Sequence, residues 1–387
     1  MSEIKIVPVN GLGAFLEFCK VPRLIYKGQK GFAPALDAER WTLLGSKLNP
    51  HYKSVDWQAW IAYKDGKPAG RIQAQIYKTV VPVGASPAQF GCLDTIEDEA
   101  VLAGLLEAAE TWLRDRGAGV INGPFSPSVW GEVGVLVEGF ETVPMVFVPW
   151  NPPYLPAMLE KRGYAKARDV ISYRYDISDK DRSQDAGIIA RPEWRDRLKI
   201  RTIDLNKIKE ESALIVDIFN DAWSENWGYV PFTYEEFMSS ADSLKFIMPP
   251  EGGFIVELDG VAQAFAVVLP NLNEITEDLD GRLFPFGLPK LISRLRNHRY
   301  KTMRLLLFGV RKALHRKAAG GAVILAFIEE SRRRTRQYTS VEHVEFGWVL
   351  EDNLGMRKPI ELSGAKIDKV HRIYGKDLTA VTSAQTA

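Results

Sequence analysis

Between residues 311 and 321 the chain reads Arg-Lys-Ala-Leu-His-Arg-Lys-Ala-Ala-Gly-Gly. Arg311, Lys312, Arg316 and Lys317 supply charge, with His315 among them, and Ala319, Gly320 and Gly321 close the run. Residues 322–334 then have helical spacing. The start of a helix offers free backbone N–H groups and a partial positive charge. Glycine there lets a ligand come close to the backbone. This is phosphate chemistry; the alternative is a solvated basic loop that caps a helix. A second group lies on a strand over 341–350. Alternation puts Val344, Phe346, Trp348 and Leu350 on one face and His343, Glu345, Gly347 and Val349 on the other. A carboxylate and an imidazole on one face can move a proton; the alternative is a pair of solvent-facing polar residues.

The elements that must position these groups occur twice. Gly31-Phe32-Ala33-Pro34 is answered by Gly228-Tyr229-Val230-Pro231, and Asp65-Gly66 by Asp259-Gly260. Asn151, Gly163 and Tyr173 are answered by Asn353, Gly364 and Tyr374, all about two hundred residues later. Five matches in one order predict two copies of one domain. Each copy reads as helices, a hairpin with an Asp-Gly turn, a strand, an amphipathic helix (99–116 and 322–334), a strand, a short helix and a last strand. The expected boundaries are 1–178 for the first copy, 179–199 for a polar linker, 200–378 for the second copy and 379–387 for a disordered tail. The copies differ where the phosphate-type loop should be. The first has Thr95-Ile96-Glu97-Asp98-Glu99, whose three carboxylates suit an empty helix N-terminus and would repel a pyrophosphate.

Composition narrows the function classes. The chain has 387 residues, 46% hydrophobic and 26% charged, as expected of a two-domain globular protein. A net charge of +1 predicts no nucleic-acid partner. Cys19 and Cys92 are too few for a disulfide framework, and the five scattered histidines predict no metal site. Without a signal sequence or a run long enough to span a bilayer, the expected location is the cytoplasm, free or peripheral at the inner membrane. The insertion at 270–301 carries Leu283-Phe284-Pro285-Phe286 and then a basic amphipathic helix over 289–300. Residues 283–300 therefore either touch an anionic membrane or pack on their own domain.

The element order resembles the GCN5-related N-acetyltransferase (GNAT) fold, and Arg316-Lys317-Ala318-Ala319-Gly320-Gly321 resembles its pyrophosphate signature, with alanine in place of the first glycine. The whole chain is similar to bacterial tandem-GNAT proteins, the bacterial ceramide synthase group among them. The resemblance is carried by residues 220–231, by Trp348-Val349-Leu350-Glu351-Asp352-Asn353, and by Asn122-Gly123-Pro124 with Asn151-Pro152-Pro153-Tyr154. The implied fold class is α+β: two tandem GNAT-like domains, each a mostly antiparallel sheet flanked by helices. The implied reaction is N-acyl transfer from acyl-CoA, or an acyl-carrier protein, to an amine. A long acyl chain and a sphingoid-base acceptor follow from the ceramide synthase likeness and the apolar insertion. No permanently bound cofactor is expected; acyl-CoA is a cosubstrate.

The resemblance also implies site roles. The strands over 307–310 and 346–349 splay to admit pantetheine, with Phe308, Gly309 and Val310 lining the gap. A backbone N–H near Phe308 polarises the thioester carbonyl. Glu345 is the first candidate base and His343 the second. The family's usual acid, a tyrosine after strand five, is missing from Leu354-Gly355-Met356-Arg357-Lys358, which leaves Tyr374, or Tyr229, as a substitute. Asn353 caps the next helix or bonds pantetheine. Trp227 and Tyr229, with Trp223, wall the acceptor pocket. The first copy is then a supporting or acceptor-shaping partner. Two other readings stay open: an aminoacyl transferase of tandem-GNAT type, and a non-catalytic ligand-binding protein with a decayed site.

Overall fold

A computed structural model describes residues 3–178, 188–244, 247–249, 251–335 and 337–379. Residues 179–187 of the expected linker, the last two residues of a helix expected over 233–246, and all of the tail but Thr379 lie outside them.

The first half runs β1 (Ile4–Pro8), α1 (Gly11–Ile25), α2 (Asp37–Leu44), β2 (Val55–Lys64), β3 (Lys67–Tyr77), β4 (Ala88–Thr95), α3 (Glu99–Arg114) and β5 (Val120–Gly123). The short strands β6 (Phe125–Ser126), β7 (Glu132–Val133) and β8 (Val135–Glu138) follow, then α4 (Leu155–Lys161) and β9 (Ala165–Asp176). The second half repeats the plan with β10 (Leu198–Thr202), α5 (Ile208–Trp223), α6 (Tyr234–Leu244), β11 (Gly253–Leu258) and β12 (Val261–Pro270). It continues through α7 (Gly287–Asn297), β13 (Thr302–Val310), α8 (Ala318–Thr335), β14 (His343–Leu350), α9 (Leu354–Leu362) and β15 (Lys366–Asp377).

Local chemistry explains these elements. Asp65 and Gly66 turn the first hairpin at φ of 49° and 75°, and Asp259 and Gly260 turn the second at 52° and 78°. That pairing of left-handed residues matches the twist of the flanking strands. Helix α3 starts on Asp98, whose Oδ1 accepts the N–H groups of Ala100 and Val101 at 2.9 and 3.2 Å. Such a cap is worth about 1 kcal/mol. The helix buries Val101, Leu102, Leu105, Leu106 and Leu113 against β2 and β3.

The halves do not close separately. One sheet runs β1-β2-β3-β4-β5-β15-β9-β14-β13-β12-β11-β10, with β8 also beside β15. The last strand of each half has crossed to the other: β15 pairs with β5, and β9 pairs with β14. The two crossing strands pair with each other over Lys366 to Gly375. The exchange is reciprocal at the side-chain level. Tyr173 donates to Glu361 on α9 at 2.7 Å, and Tyr374 donates to Glu160 on α4 at 3.2 Å. A shared core of Val55, Tyr77, Phe125, Val170, Val230 and Leu350 joins the halves around this seam.

Candidate active site

Strands β13 and β14 pair in parallel only from Thr302 to Leu305 against His343 to Phe346. Beyond Leu305 they separate, at the expected place. The gap opens into a cavity of about 1040 Å³ lined by Leu307, Phe308, Gly309, Val310, Gly347 and Trp348, among others. In the first half the corresponding strands pair only at Gln89 and Asn122, and Phe125 and Ser126 take up part of the space between them, leaving a chamber of about 110 Å³. A Cβ on Gly91 would lie 1.6 Å from the Phe125 carbonyl, and the Cys92 N–H donates to Ser126 Oγ at 2.9 Å. The second half thus has much the larger opening at its gap, about 1040 Å³ against about 110 Å³.

Helix α8 starts at Ala318, four residues earlier than its apolar spacing suggests. Ala318, Ala319 and Gly320 thus lie in its first turn, where N–H groups have no partner within the helix, whereas the Gly321 N–H already donates to the Lys317 carbonyl at 3.2 Å. Arg316 and Lys317 stand exposed just before it, and Arg316, left-handed at φ 62°, lines the cavity. Arg311 is committed elsewhere, to Asp217 at 2.5 Å and the Ala262 carbonyl at 3.1 Å. Lys312 lines the cavity while pairing with Glu225 at 3.1 Å, and His315 Nε2 contacts the Val310 carbonyl at 2.9 Å. The two glycines do different work. A Cβ on Gly320 would meet the Leu314 carbonyl at 2.1 Å, whereas one on Gly321 would meet nothing within 4 Å. Gly320→Ala is therefore expected to destabilise by about 1–3 kcal/mol. Gly321→Ala is expected to leave stability unchanged or raise it by up to about 1 kcal/mol. Thermal unfolding of the two variants checks this.

The expected catalytic groups fall elsewhere. Glu345 is 2% exposed and does not line the cavity. Its Oε1 lies 3.3 Å from Arg304 Nε, without hydrogen-bond geometry. Burial pushes its carboxyl above the usual range, against the pull of Arg304. His343 is half-buried at the far, paired end of the strands, and burial lowers its pKa. Tyr374 is a correction. The strand exchange carries it into the first half, fully buried among Leu105, Leu155 and Tyr164, with its hydroxyl on Glu160. Trp227 and Tyr229 also need correcting as pocket walls. Trp227 packs under Gly84, and Tyr229 bonds Asn220 at 3.0 Å with its ring 5.9 Å from Trp130. Trp223 does line the cavity, and its indole N–H reaches the Phe308 carbonyl at 3.2 Å. Asn353 lines it too and caps α9, accepting the Met356 N–H at 3.2 Å.

Residues from the first half complete the wall. Helix α2 and its N-cap present Leu36, Glu39, Thr42 and Leu43, spaced i, i+3, i+6, i+7 on one face, and Trp130 and Phe147 stand beside them. Arg304 also lines the cavity and ties the halves, donating to the Val146 and Gly347 carbonyls. Helix α2 was legible as a helix, but nothing in its residues signals that it faces the other half. Among the described residues no group of three or more His, Cys, Asp or Glu converges to hold a metal. None of their helices is long and apolar enough to cross a membrane.

No family model matches the chain. Protein YghO of Escherichia coli strain K12 is 37% identical over 370 residues, which is 95% of this chain and 93% of that protein. The bacterial ceramide synthase of Caulobacter vibrioides is 34% identical over 383 residues, covering 97% of this chain and 98% of that protein. The fold matches a tandem GNAT protein from the clavulanic acid biosynthesis pathway at a TM-score of 0.56 and 13% identity, over 98% of this chain and 100% of the other. It also matches a probable N-acyltransferase from Enterococcus faecalis V583 at 0.55 and 10%, over 98% of this chain and 73% of the other. The splayed strands, the wide gap of the second half and full-length relatives agree: the chain belongs to the tandem GNAT acyltransferase family of bacteria that holds Protein YghO and the Caulobacter ceramide synthase.

Proposed function

We propose that this protein transfers a long acyl chain from acyl-CoA to a lipid amine such as a sphingoid base, as the name of the Caulobacter relative suggests. One observation carries the reading. The open gap leads to apolar space on both faces of the sheet. Beyond the main cavity, β13, β14, α8 and α9 enclose a second, apolar pocket of about 140 Å³. Leu305, Phe308, Ile324 and Phe346 line both, so the two spaces meet at the gap. An acetyl group needs no such pocket; an alkyl chain gains about 0.8 kcal/mol per buried methylene.

In this reading Arg316, Lys317 and the first turn of α8, at Ala319, Gly320 and Gly321, receive the pyrophosphate. Pantetheine lies along Phe308, Gly309 and Val310 and passes Asn353. A backbone N–H in the splayed segment of β13 faces the thioester carbonyl. The acyl tail enters the smaller pocket, and the amine approaches through the larger cavity. The first half acts by shaping that cavity.

The test is to incubate the protein with a sphingoid base and either palmitoyl-CoA or a palmitoyl acyl-carrier protein. Thiol release and the mass of the product are then followed. The N-acyl amide is the expected product, with CoA the better donor. Saturating palmitoyl-CoA should also stabilise the fold, by about 2.7 kcal/mol at a hundred times its Kd. If no acyl-CoA of any chain length raises the Tm, the reading fails.

A lipid acceptor also needs a route from the bilayer. In the insertion, Phe284 and Phe286 are each 78% exposed, and Leu288 and Ile292 are exposed beside them. Arg296 and Arg299 lie on the same exposed segment, whereas Lys290 and Arg294 pair with Asp278. Replacing both phenylalanines by serine is expected to weaken binding to vesicles containing anionic lipid at least tenfold, leaving palmitoyl-CoA binding unchanged. Vesicle sedimentation measures the effect.

A further inference from the structure

We infer that Glu39, on helix α2 of the first half, holds the ammonium of the acceptor amine and takes its proton for the reaction at the second half's gap. The inference rests on the acyltransferase reading and names the residue that reading lacks, since Glu345, His343 and Tyr374 do not reach the cavity.

Three carboxylates line the main cavity. Glu225 is 82% exposed and pairs with Lys312; Asp352 is 57% exposed and lies 3.4 Å from Arg168. Glu39 is 32% exposed, the least of the three, and lines the cavity. A shielded carboxylate has the smaller hydration to lose when it meets a substrate cation.

Charge matching makes the assignment specific. Glu39, Val146 and Phe147 also line a polar chamber of about 110 Å³ inside the first half, so the chamber joins the main cavity at Glu39. Every arginine lining the chamber has a carboxylate of its own. Arg23 pairs with Asp37 at 3.0 Å, Arg71 with Asp94 at 2.7 Å, and Arg40 with Glu132 through both guanidinium nitrogens, one of them at 2.9 Å. Glu39 is the fourth carboxylate and has only the edge of Arg40, at 3.5 Å. The chamber thus carries one acid in excess, placed where it meets the main cavity. The other charged groups on the cavity wall are Arg304, held by Glu345, and the Lys312, His315 and Arg316 group at the pyrophosphate end. Burial raises the Glu39 carboxyl above its usual range, with Arg40 opposing and Glu132 adding to the rise. A raised carboxylate is a stronger base toward an ammonium.

The step balances. The acceptor arrives as R–NH3+, and Glu39 takes one proton. The nitrogen lone pair attacks the thioester carbonyl carbon, the C–N bond forms, and the C–S bond breaks with its electron pair going to sulfur. The second nitrogen proton ends on the thiolate, giving amide and CoA thiol, and Glu39 returns its proton to water.

The experiment compares wild type with Glu39→Gln and Glu39→Asp, with dodecylamine as acceptor and palmitoyl-CoA as donor. For Glu39→Gln, kcat/KM for the amine is expected to fall at least 100-fold at neutral pH. It should then rise about tenfold per pH unit toward the amine's own pKa, because free amine now has to be recruited from solution. Glu39→Asp should keep part of the activity and the flatter wild-type profile. The Tm rise with palmitoyl-CoA should match wild type in both, which separates a lost base from a lost fold. Dodecylamine alone should raise the Tm of wild type and not of Glu39→Gln. An amine kcat/KM within threefold of wild type in Glu39→Gln, or a proportional loss at every pH, overturns the role of Glu39 and leaves the acyltransferase reading standing. Wild type that acylates no amine overturns both.

Discussion

Glu345→Ala is expected to lower stability by about 3–5 kcal/mol, one of the largest single-site effects in the chain. Arg304 and Glu345 are each no more than 3% exposed as side chains, and they face each other across the paired start of β13 and β14. Burial raises the Glu345 carboxyl and lowers the Arg304 guanidinium, so desolvation outweighs the attraction on both sides. Removing the carboxylate leaves a guanidinium that cannot discharge by losing a proton. The reverse change, Arg304→Leu, leaves a carboxyl that can protonate, so its cost should come mainly from the lost bonds to the Val146 and Gly347 carbonyls. Urea unfolding of the two variants measures the asymmetry. The pH dependence has a definite sign. Because the folded-state pKa of Glu345 is raised, the folded chain holds a proton that the unfolded chain releases in the window between the two values. Glu345 therefore favours folding below the ordinary carboxylate range, and that contribution is lost as pH rises through its raised pKa. If Glu345→Ala instead leaves stability within 1 kcal/mol and abolishes transfer, Glu345 is catalytic and the structural role is wrong.

Ile328→Trp is expected to change which acyl chain is used. Ile328 lines the small apolar pocket away from the gap, whereas Ile324 lines both spaces. A tryptophan at 328 fills the pocket and leaves the gap open. Excluding about four methylenes at about 0.8 kcal/mol each costs roughly 3 kcal/mol, a loss of about 100-fold or more for palmitoyl-CoA. Octanoyl-CoA should be affected less than fivefold. Competition between the two donors, read by mass spectrometry, gives the ratio directly. An equal loss for both would remove the tail from this pocket.

Much of the architecture was legible because it depends on local chemistry. The Asp-Gly turns, the amphipathic spacing of α3, the acidic cap at Asp98 and the basic approach to α8 each act within one or two turns of chain. The duplication and the splay over 307–310 followed from comparing the copies and from the family resemblance. The wide gap in the second half and the narrower one in the first stand beside a basic and an acidic helix start respectively. Side-chain roles were legible less often. Alternation correctly put Glu345 and His343 on one face of β14, but it cannot say whether that face meets a ligand or an arginine.

What the sequence alone determined is therefore the repeated unit and which of its two copies keeps a basic, glycine-bearing helix start. The periodicity, turn residues and local charge that set these do not depend on distant neighbours. Tertiary structure alone decided which strand closes which half, and with it where Tyr374 goes. In two copies of one unit the last strands have equivalent edges to pair with, so register within a half cannot choose between closing at home and exchanging. The exchange brings the halves together at one seam. Helix α2 then faces the gap of the other copy, and Glu39 becomes a candidate for the chemistry there, a role no spacing along the chain encodes.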